Sequence, residues 1–473
     1  MKKKSKKLLS NTLLFFIGNL GSKFIQFFMV PLYTYTLTTA EYGTTDLVFT
    51  TVNFLIPIFS IQISDGLLRF GLDKNNNNQD LLKSSMYILM FSTILSIIFS
   101  PLLALNSDLK EWIFFFVLIL NLKMYRDIFS IMLKVEDKNK IYAIDSILYT
   151  LVLSVFSIIF LVFFKLKIVG YFLAYIVANV FSIIFILISG KYSYKIILRK
   201  KNKKLIKSLI MYSLPLIINS ISYWITTASD RYMINIFMDA SAVGLYAIAT
   251  KIPSLLTTFT GIFSQAWMIS SISEYENDRD KKFYSQTLKN YLALSFIAGA
   301  GLIFVVKPFM MIYVSNEYLE AWKFAPILIL SAIYSGISAF LNGIYYAYKR
   351  NLLITTTTFI GAAINIGMNI FLIPIFGIMG ASIATLISWI IISIFRFVNL
   401  KKFIILEIDY RNINLCTILI LIEIIAIEHS NGFAFLIGIL ALVGIIFLCR
   451  EILITIGEIV LKKIKGIRGK NEF

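Results

Sequence analysis

The chain has 473 residues with a mean hydropathy of +0.81; 58% of them are hydrophobic and only 15% charged. A soluble domain carries about 25% charged residues, so a water-exposed fold of this composition is excluded by the apolar patches it would present. The formal net charge is +19, but the cations sit between apolar runs. There they act as orientation signals and as contacts for anionic lipid, not as a nucleic-acid footprint.

Only helix bundles and closed barrels satisfy backbone polar groups in hydrocarbon. Apolar runs of about 20 residues without sustained alternation select the bundle, an all-α polytopic membrane protein. The runs predict about fourteen spans, over approximately 9–35, 44–64, 81–104, 112–133, 141–164, 168–189, 208–228, 242–268, 288–306, 324–346, 352–373, 377–400, 413–428 and 432–456. The basic start, Met1 to Lys7, resembles the head of a signal peptide. The apolar stretch behind it continues past Tyr33 without a small-residue cleavage site, so it reads as a retained first helix.

Taken in order, several spans carry polar stripes. Span 1 bears Thr12, Asn19, Lys23 and Gln26 on one face. Span 2 bears Asp46, Thr50, Asn53, Pro57, Ser60 and Ser64 at alternating steps of four and three, one helical face. Asp46 also suits the outer helix N-terminus, where the dipole favours a carboxylate. Arg69, just past span 2, is placed either at the inner mouth of a cavity or as an ordinary basic loop residue. Span 4 holds Lys123, Asp127, Ser130 and Lys134, with Arg126 beside them. Lys123 and Asp127 are spaced to neutralise each other, which leaves Arg126 as net charge.

The basic segment 191–207 reads as a cytoplasmic linker between two lobes, 1–190 and 208–400. Residues 401–473 add a helix pair and a basic tail. Span 7 carries Asn219, Tyr223, Thr226 and Asp230; span 8 carries Lys251, Ser254, Thr258, Gly261 and Gln265. Small polar residues at such positions also serve helix packing. Lys23 and Lys251 are harder to explain that way. Each lies well inside its span, without an acidic residue three or four positions away, and a midplane lysine costs about 2.5–3.5 kcal/mol to insert. A wet cavity or an anionic ligand accounts for both. Glu423 in span 13 has no evident role. Cys416 and Cys449 lack metal or disulfide spacing and read as inert thiols. With a single histidine, His429, no His-based metal site is expected.

Charge bias tests the topology. With the N-terminus cytoplasmic, 35 of the 45 Lys and Arg residues fall in inner segments, Lys83 and Arg396 among them. Outer segments hold six, including Arg231. The outer loops are short, leaving no room for an external catalytic domain. The halves also look related. Glu41-Tyr42-Gly43 matches Ala242-Val243-Gly244 at an offset of 201. Ile168-Val169-Gly170 matches Ile378-Met379-Gly380 at an offset of 210. An even number of spans per unit makes this a parallel repeat, the pattern of carriers with two six-helix lobes.

Asn11–Gly71 resembles the N-terminal region of polysaccharide flippases, the Wzx-type exporters of O-antigen and capsule repeat units in the multidrug/oligosaccharidyl-lipid/polysaccharide exporter superfamily. The residues that carry the likeness are Pro31-Leu32-Tyr33, Glu41-Tyr42-Gly43 and Asp65-Gly66-Leu67-Leu68-Arg69. Leu214-Pro215, Trp224, Asp230-Arg231, Val243-Gly244-Leu245-Tyr246, Lys251 and Asn365 through Thr385 continue it over roughly residues 8–400. The resemblance implies two six-helix lobes around a central cavity plus a helix pair. It implies alternating access and an undecaprenyl-diphosphate-linked oligosaccharide carried to the outer leaflet of a bacterial cytoplasmic membrane, with both termini inside. Other polysaccharide-assembly membrane proteins would be its partners. Related lipid II flippases place cavity cations on helices 1, 2 and 8; Lys23 and Lys251 match two of these, and Arg69 is the weaker match to the third. Asp46 would correspond to an acidic residue near the start of helix 2. No cofactor is expected beyond a coupling proton or sodium ion, for which Asp127 is the leading carboxylate.

Two rival readings fit the sequence less well. A multidrug exporter of the same superfamily takes mostly cationic substrates, which Lys23, Arg126 and Lys251 disfavour. A polysaccharide polymerase or ligase needs a sizeable outer loop. A phosphate-binding loop, the mark of a primary pump, is absent from the sequence.

Overall fold

The computed structural model describes residues 20–73, 76–105, 107–192, 202–277, 281–429, 432–452 and 454. These residues form helices and no strand. In chain order the helices are α1 (20–28), α2 (Val30–Thr36), α3 (Thr39–Phe59), α4 (Ile63–Gly71), α5 (Asn78–Phe99), α6 (Ser107–Lys110), α7 (Ile113–Val135), α8 (Asn139–Ile158), α9 (Lys167–Ser189), α10 (Lys203–Phe237), α11 (Ala240–Ala249), α12 (Lys251–Asn277), α13 (Lys281–Tyr313), α14 (Ala325–Ala347), α15 (Asn351–Phe376), α16 (Ile378–Leu400), α17 (Tyr410–Glu428) and α18 (Gly432–Leu448).

Nine of these are long and apolar enough to cross a membrane, or eleven if each bent pair counts as one span, among the described residues. The predicted spans outside that set have local reasons. Span 1 is described only from residue 20 and breaks at Met29. Span 4 is α7, which carries Lys123, Arg126 and Asp127 within one stretch. Span 14 is α18, only 17 residues long.

Span 2 is a broken helix. Thr38 opens it with a capping box: its hydroxyl accepts from the Glu41 amide, and the Glu41 carboxylate accepts from the Thr38 amide. Pro57 lies near the other end. Ile61 and Gln62 then adopt left-handed φ of 54° and 49°, and α4 leaves at 53° to α3. Span 8 is likewise α11 and α12, bent by 47°.

The chain forms two compact units. One comprises residues 1–247 with 313–318; the other comprises 248–312 and 319–473. α10 and α11 up to Ala247 belong to the first unit, in which α10 packs on α3, α4 and α5. The 313–318 segment falls in the first unit through hydrogen bonds to the chain's first helices: Tyr313 Oη to the Phe27 carbonyl at 2.6 Å, Ser315 Oγ to the Thr34 carbonyl at 2.6 Å, and Tyr318 Oη to the Thr38 carbonyl at 2.7 Å.

The repeat-related segments meet inside the first unit. Gly43 and Gly244 oppose each other where α3 crosses α11, and Thr39 and Ser241 share a hydroxyl contact of 2.7 Å beside them. Small residues let two helix backbones approach this closely. The second matched pair also behaves alike. Gly170 sits against Phe160 and Gly380 against Leu372, so in each unit the glycine lets a helix start fold back on the end of its predecessor.

Two cations counted as loop residues are buried. Lys83 is 3% exposed in α5, beside the Tyr87 ring. Arg396 is 2% exposed in α16. Its guanidinium donates to Thr357 Oγ1, Thr358 Oγ1, Ser338 Oγ and the Ser338 and Ile354 carbonyls, at 2.5–3.3 Å. This ties α14, α15 and α16 together in the second unit. Hydroxyls and carbonyls satisfy every face of a fork that apolar neighbours would leave uncompensated.

Candidate functional site

The first unit brings two of its polar stripes together in the interior of their helices. Lys123 is the eleventh of 23 residues in α7, and Asn53 the fifteenth of 21 in α3. Lys123 Nζ donates to Asn53 Oδ1 at 2.5 Å. The sequence paired Lys123 with Asp127 instead. Among the described residues Lys123 has no ion pair, and Asp127 acts on it only through space. The amide orients the ammonium without cancelling its charge. Asn53 is exposed and Lys123 half-buried, so a ligand can reach both.

Aromatic rings lie on the same stretch of α3 and on α10. Phe54, next to Asn53, lies 4.3 Å from the Trp224 ring of α10. Trp224 Nε1 donates to the Thr50 carbonyl at 3.1 Å, and Tyr232 shares a hydroxyl contact with Thr51. Tyr223 is exposed on the same helix. A cation, an amide and ring faces are the groups that a phosphate and a sugar require.

Arg126 does not remain as free charge. Its Nη2 lies 3.0 Å from Asp145 Oδ2, its Nε donates to Ser182 Oγ at 2.6 Å, and its guanidinium stacks 3.9 Å over the Tyr149 ring. Ser182 in turn donates to Asp145 at 2.5 Å. The cluster joins α7, α8 and α9 and pairs the Arg126 charge with the Asp145 carboxylate. Sequence reasoning passed over Asp145, Tyr149 and Ser182. An acidic residue inside span 5 was the available signal, but its partner lay 19 residues away on another helix.

Asp46 is also committed. It accepts from Arg231 Nε at 2.5 Å. It is eight residues into α3, past the first turn, and Arg231 lies within α10 instead of in an outer loop. The neighbouring Asp230 is buried and accepts from Tyr246 Oη at 2.7 Å. This chain of polar contacts locks α3, α10 and α11 at the crossing described above.

Lys23 and Gln26 are exposed on α1, and Arg69 is exposed on α4 beyond the break. In the second unit Lys251 is half-buried at the first position of α12, directly after the bend, and Gln265 is exposed further along it. Asn19 and the side chain of Asn219 lie outside the described residues. A buried polar cluster that the stripes did not reveal runs from Asn369 Nδ2 to Asn365 Oδ1 at 3.1 Å, and from Asn365 Nδ2 to Thr385 Oγ1 at 3.4 Å. A separate cavity of about 840 Å³ opens between α13, α17 and the segment after α18; none of the stripe residues lines it.

A family model described as "polysaccharide biosynthesis protein" matches residues 8–268. The chain belongs to this family. Among curated proteins it is 25% identical over 253 residues to the "probable low-salt glycan biosynthesis flippase Agl15" of Haloferax volcanii, a stretch covering 52% of each protein. It is 26% identical over 248 residues to an uncharacterized membrane protein of Methanocaldococcus jannaschii, covering 49% of this chain and 58% of that one. The chain thus spans little more than half the length of the curated relatives it matches. Among solved structures, the lipid II flippase MurJ in an inward closed conformation superposes with a TM-score of 0.68 at 17% identity, covering 94% of this chain and 98% of MurJ. An inward-facing multidrug resistance transporter of the MATE family, in the MOP superfamily, gives 0.64 at 12% identity, covering 82% and 94%. This member of the polysaccharide biosynthesis family therefore has the polytopic helical fold of MOP-superfamily transporters.

Proposed function

We propose that this family member is a flippase that moves an undecaprenyl-diphosphate-linked oligosaccharide from the inner to the outer leaflet of a bacterial cytoplasmic membrane, with both chain termini on the cytoplasmic side. The observation that carries the reading is the Lys123–Asn53 pair: a half-buried ammonium at the middle of α7, oriented by a neutral amide. Lys is a point-charge partner for a diphosphate, and its attraction strengthens where water is scarce. Lys23 and Lys251 would assist it as further cations, and Asn, Thr and aromatic groups would take the sugar. Arg126, neutralised by Asp145, has no direct part. Family membership and the flippase name of the Haloferax relative support the same direction.

Two variants test the proposal. In cells depleted of the chain, lipid-linked oligosaccharide should accumulate at the inner leaflet, and Lys123→Ala or Lys251→Ala should fail to relieve it. Export at parental rates by both variants would sink the cationic-site mechanism. A proton or sodium gradient is proposed to drive the cycle through Asp127. Asp127→Asn should then uncouple transport from the gradient; unchanged ion dependence excludes Asp127 as the coupling group.

A further inference from the structure

We propose that Cys416 and Cys449 form a redox-active dithiol, a modification site at which a small disulfide links α17 to the residue that follows α18. The two cysteines are the only ones in the sequence and stand 33 residues apart, a spacing that signals nothing. In the fold their Sγ atoms lie 4.0 Å apart, both unoxidised. α17 and α18 are consecutive and pack on each other. Cys416 lies near the start of α17 and Cys449 just past the end of α18, so the thiols meet at the open end of this helical hairpin, opposite its turn. A disulfide needs a sulfur–sulfur bond of about 2.05 Å. From 4.0 Å the two sulfurs must approach by about 2 Å to close it.

Access comes from the cavity of about 840 Å³, whose wall includes both cysteines together with Lys289, Asn412, Leu448 and Ile452. The thiols are unequal. Cys416 is 2% exposed, whereas Cys449 is half-buried. Cys449 therefore attacks first. Its thiolate displaces one thiol from the small disulfide and keeps the other half as a mixed disulfide. Cys416 then attacks the Cys449 sulfur and expels the second thiol. The protein loses two hydrogens, the reagent disulfide is reduced to two thiols, and the protons end on those thiols. Nearby, Lys289 Nζ holds Glu451 at 2.5 Å, which fixes the segment carrying Cys449 against α13. Closing the bond would staple the hairpin along one wall of the cavity. Compartment chemistry agrees: with the basic ends of this hairpin cytoplasmic, the resting state is the dithiol, and disulfides on that side are transient and regulatory.

The full-length protein in detergent, treated with 2,2′-dithiodipyridine, separates this from two inert packing thiols. The proposal expects two pyridine-2-thiones released per chain, no retained adduct, and an intact mass lower by two hydrogens. Cys416→Ser should release one thione and keep one stable adduct on Cys449; Cys449→Ser should react far more slowly. Two retained adducts on the parent protein, a disulfide between two chains, or thione release only after unfolding would each overturn it.

Discussion

Replacing Gly43 by alanine puts a methyl group where the repeat-related backbone already lies. A Cβ at Gly43 would fall 1.7 Å from the Ala240 carbonyl oxygen, and one at Gly244 would fall 2.1 Å from that of Thr39. Carbon–oxygen contacts begin at about 3.3 Å, so the α3–α11 crossing must open by roughly 1.5 Å. Overpacking of this kind costs about 1–3 kcal/mol. The cross-linking assay replaces both hydroxyls of the Thr39–Ser241 contact, so the overpacking alone counts there: it lowers the population of the closed crossing by about 5- to 140-fold at 1.4 kcal/mol per decade. The assay is cross-linking of Thr39→Cys with Ser241→Cys by a short bifunctional thiol reagent, in a background where Cys416 and Cys449 are serine. Gly43→Ala should reduce the cross-linking by about that factor, and Gly244→Ala should do the same. The two together should cost less than their sum, because one separation accommodates both methyls. Parental cross-linking in Gly43→Ala, or full additivity, would refute the reasoning.

Two further predictions concern buried cations. Asp145→Leu strands the Arg126 guanidinium and should cost about 3–5 kcal/mol, read as a lower melting temperature in detergent; adding Arg126→Met should recover most of it and leave transport largely intact. A double variant that folds but does not transport would give Arg126 a direct role after all. Arg396→Ala removes hydrogen bonds to Thr357, Thr358 and Ser338, each charge-assisted and worth about 1.5–3 kcal/mol, so thermal unfolding should shift sharply. Lys402→Ala, at an exposed position one turn or so further on, should leave the melting temperature unchanged.

The all-helical membrane class was legible because it rests on one-dimensional quantities. Apolar runs match the thickness of a bilayer, and their length does not depend on what packs against them. The glycines of the internal repeat were legible for a similar reason: each copy carries its own local signal at a fixed offset. Charge partnership was not legible. Lys123 and Asp127 share a helix face, so sequence paired them, but α3 brings Asn53 nearer. Arg126 and Asp46 looked like free cavity charges until α8 and α10 supplied Asp145 and Arg231. The two thiols looked inert until the α17–α18 hairpin closed the 33 residues between them. α10 groups with α3, α4 and α5 because packing, not loop composition, decides which helices form a unit. Spacing along the chain thus determined which residues are embedded in the membrane, while only the packing of one helix on another decided which of those charges are already satisfied and which are left for a ligand.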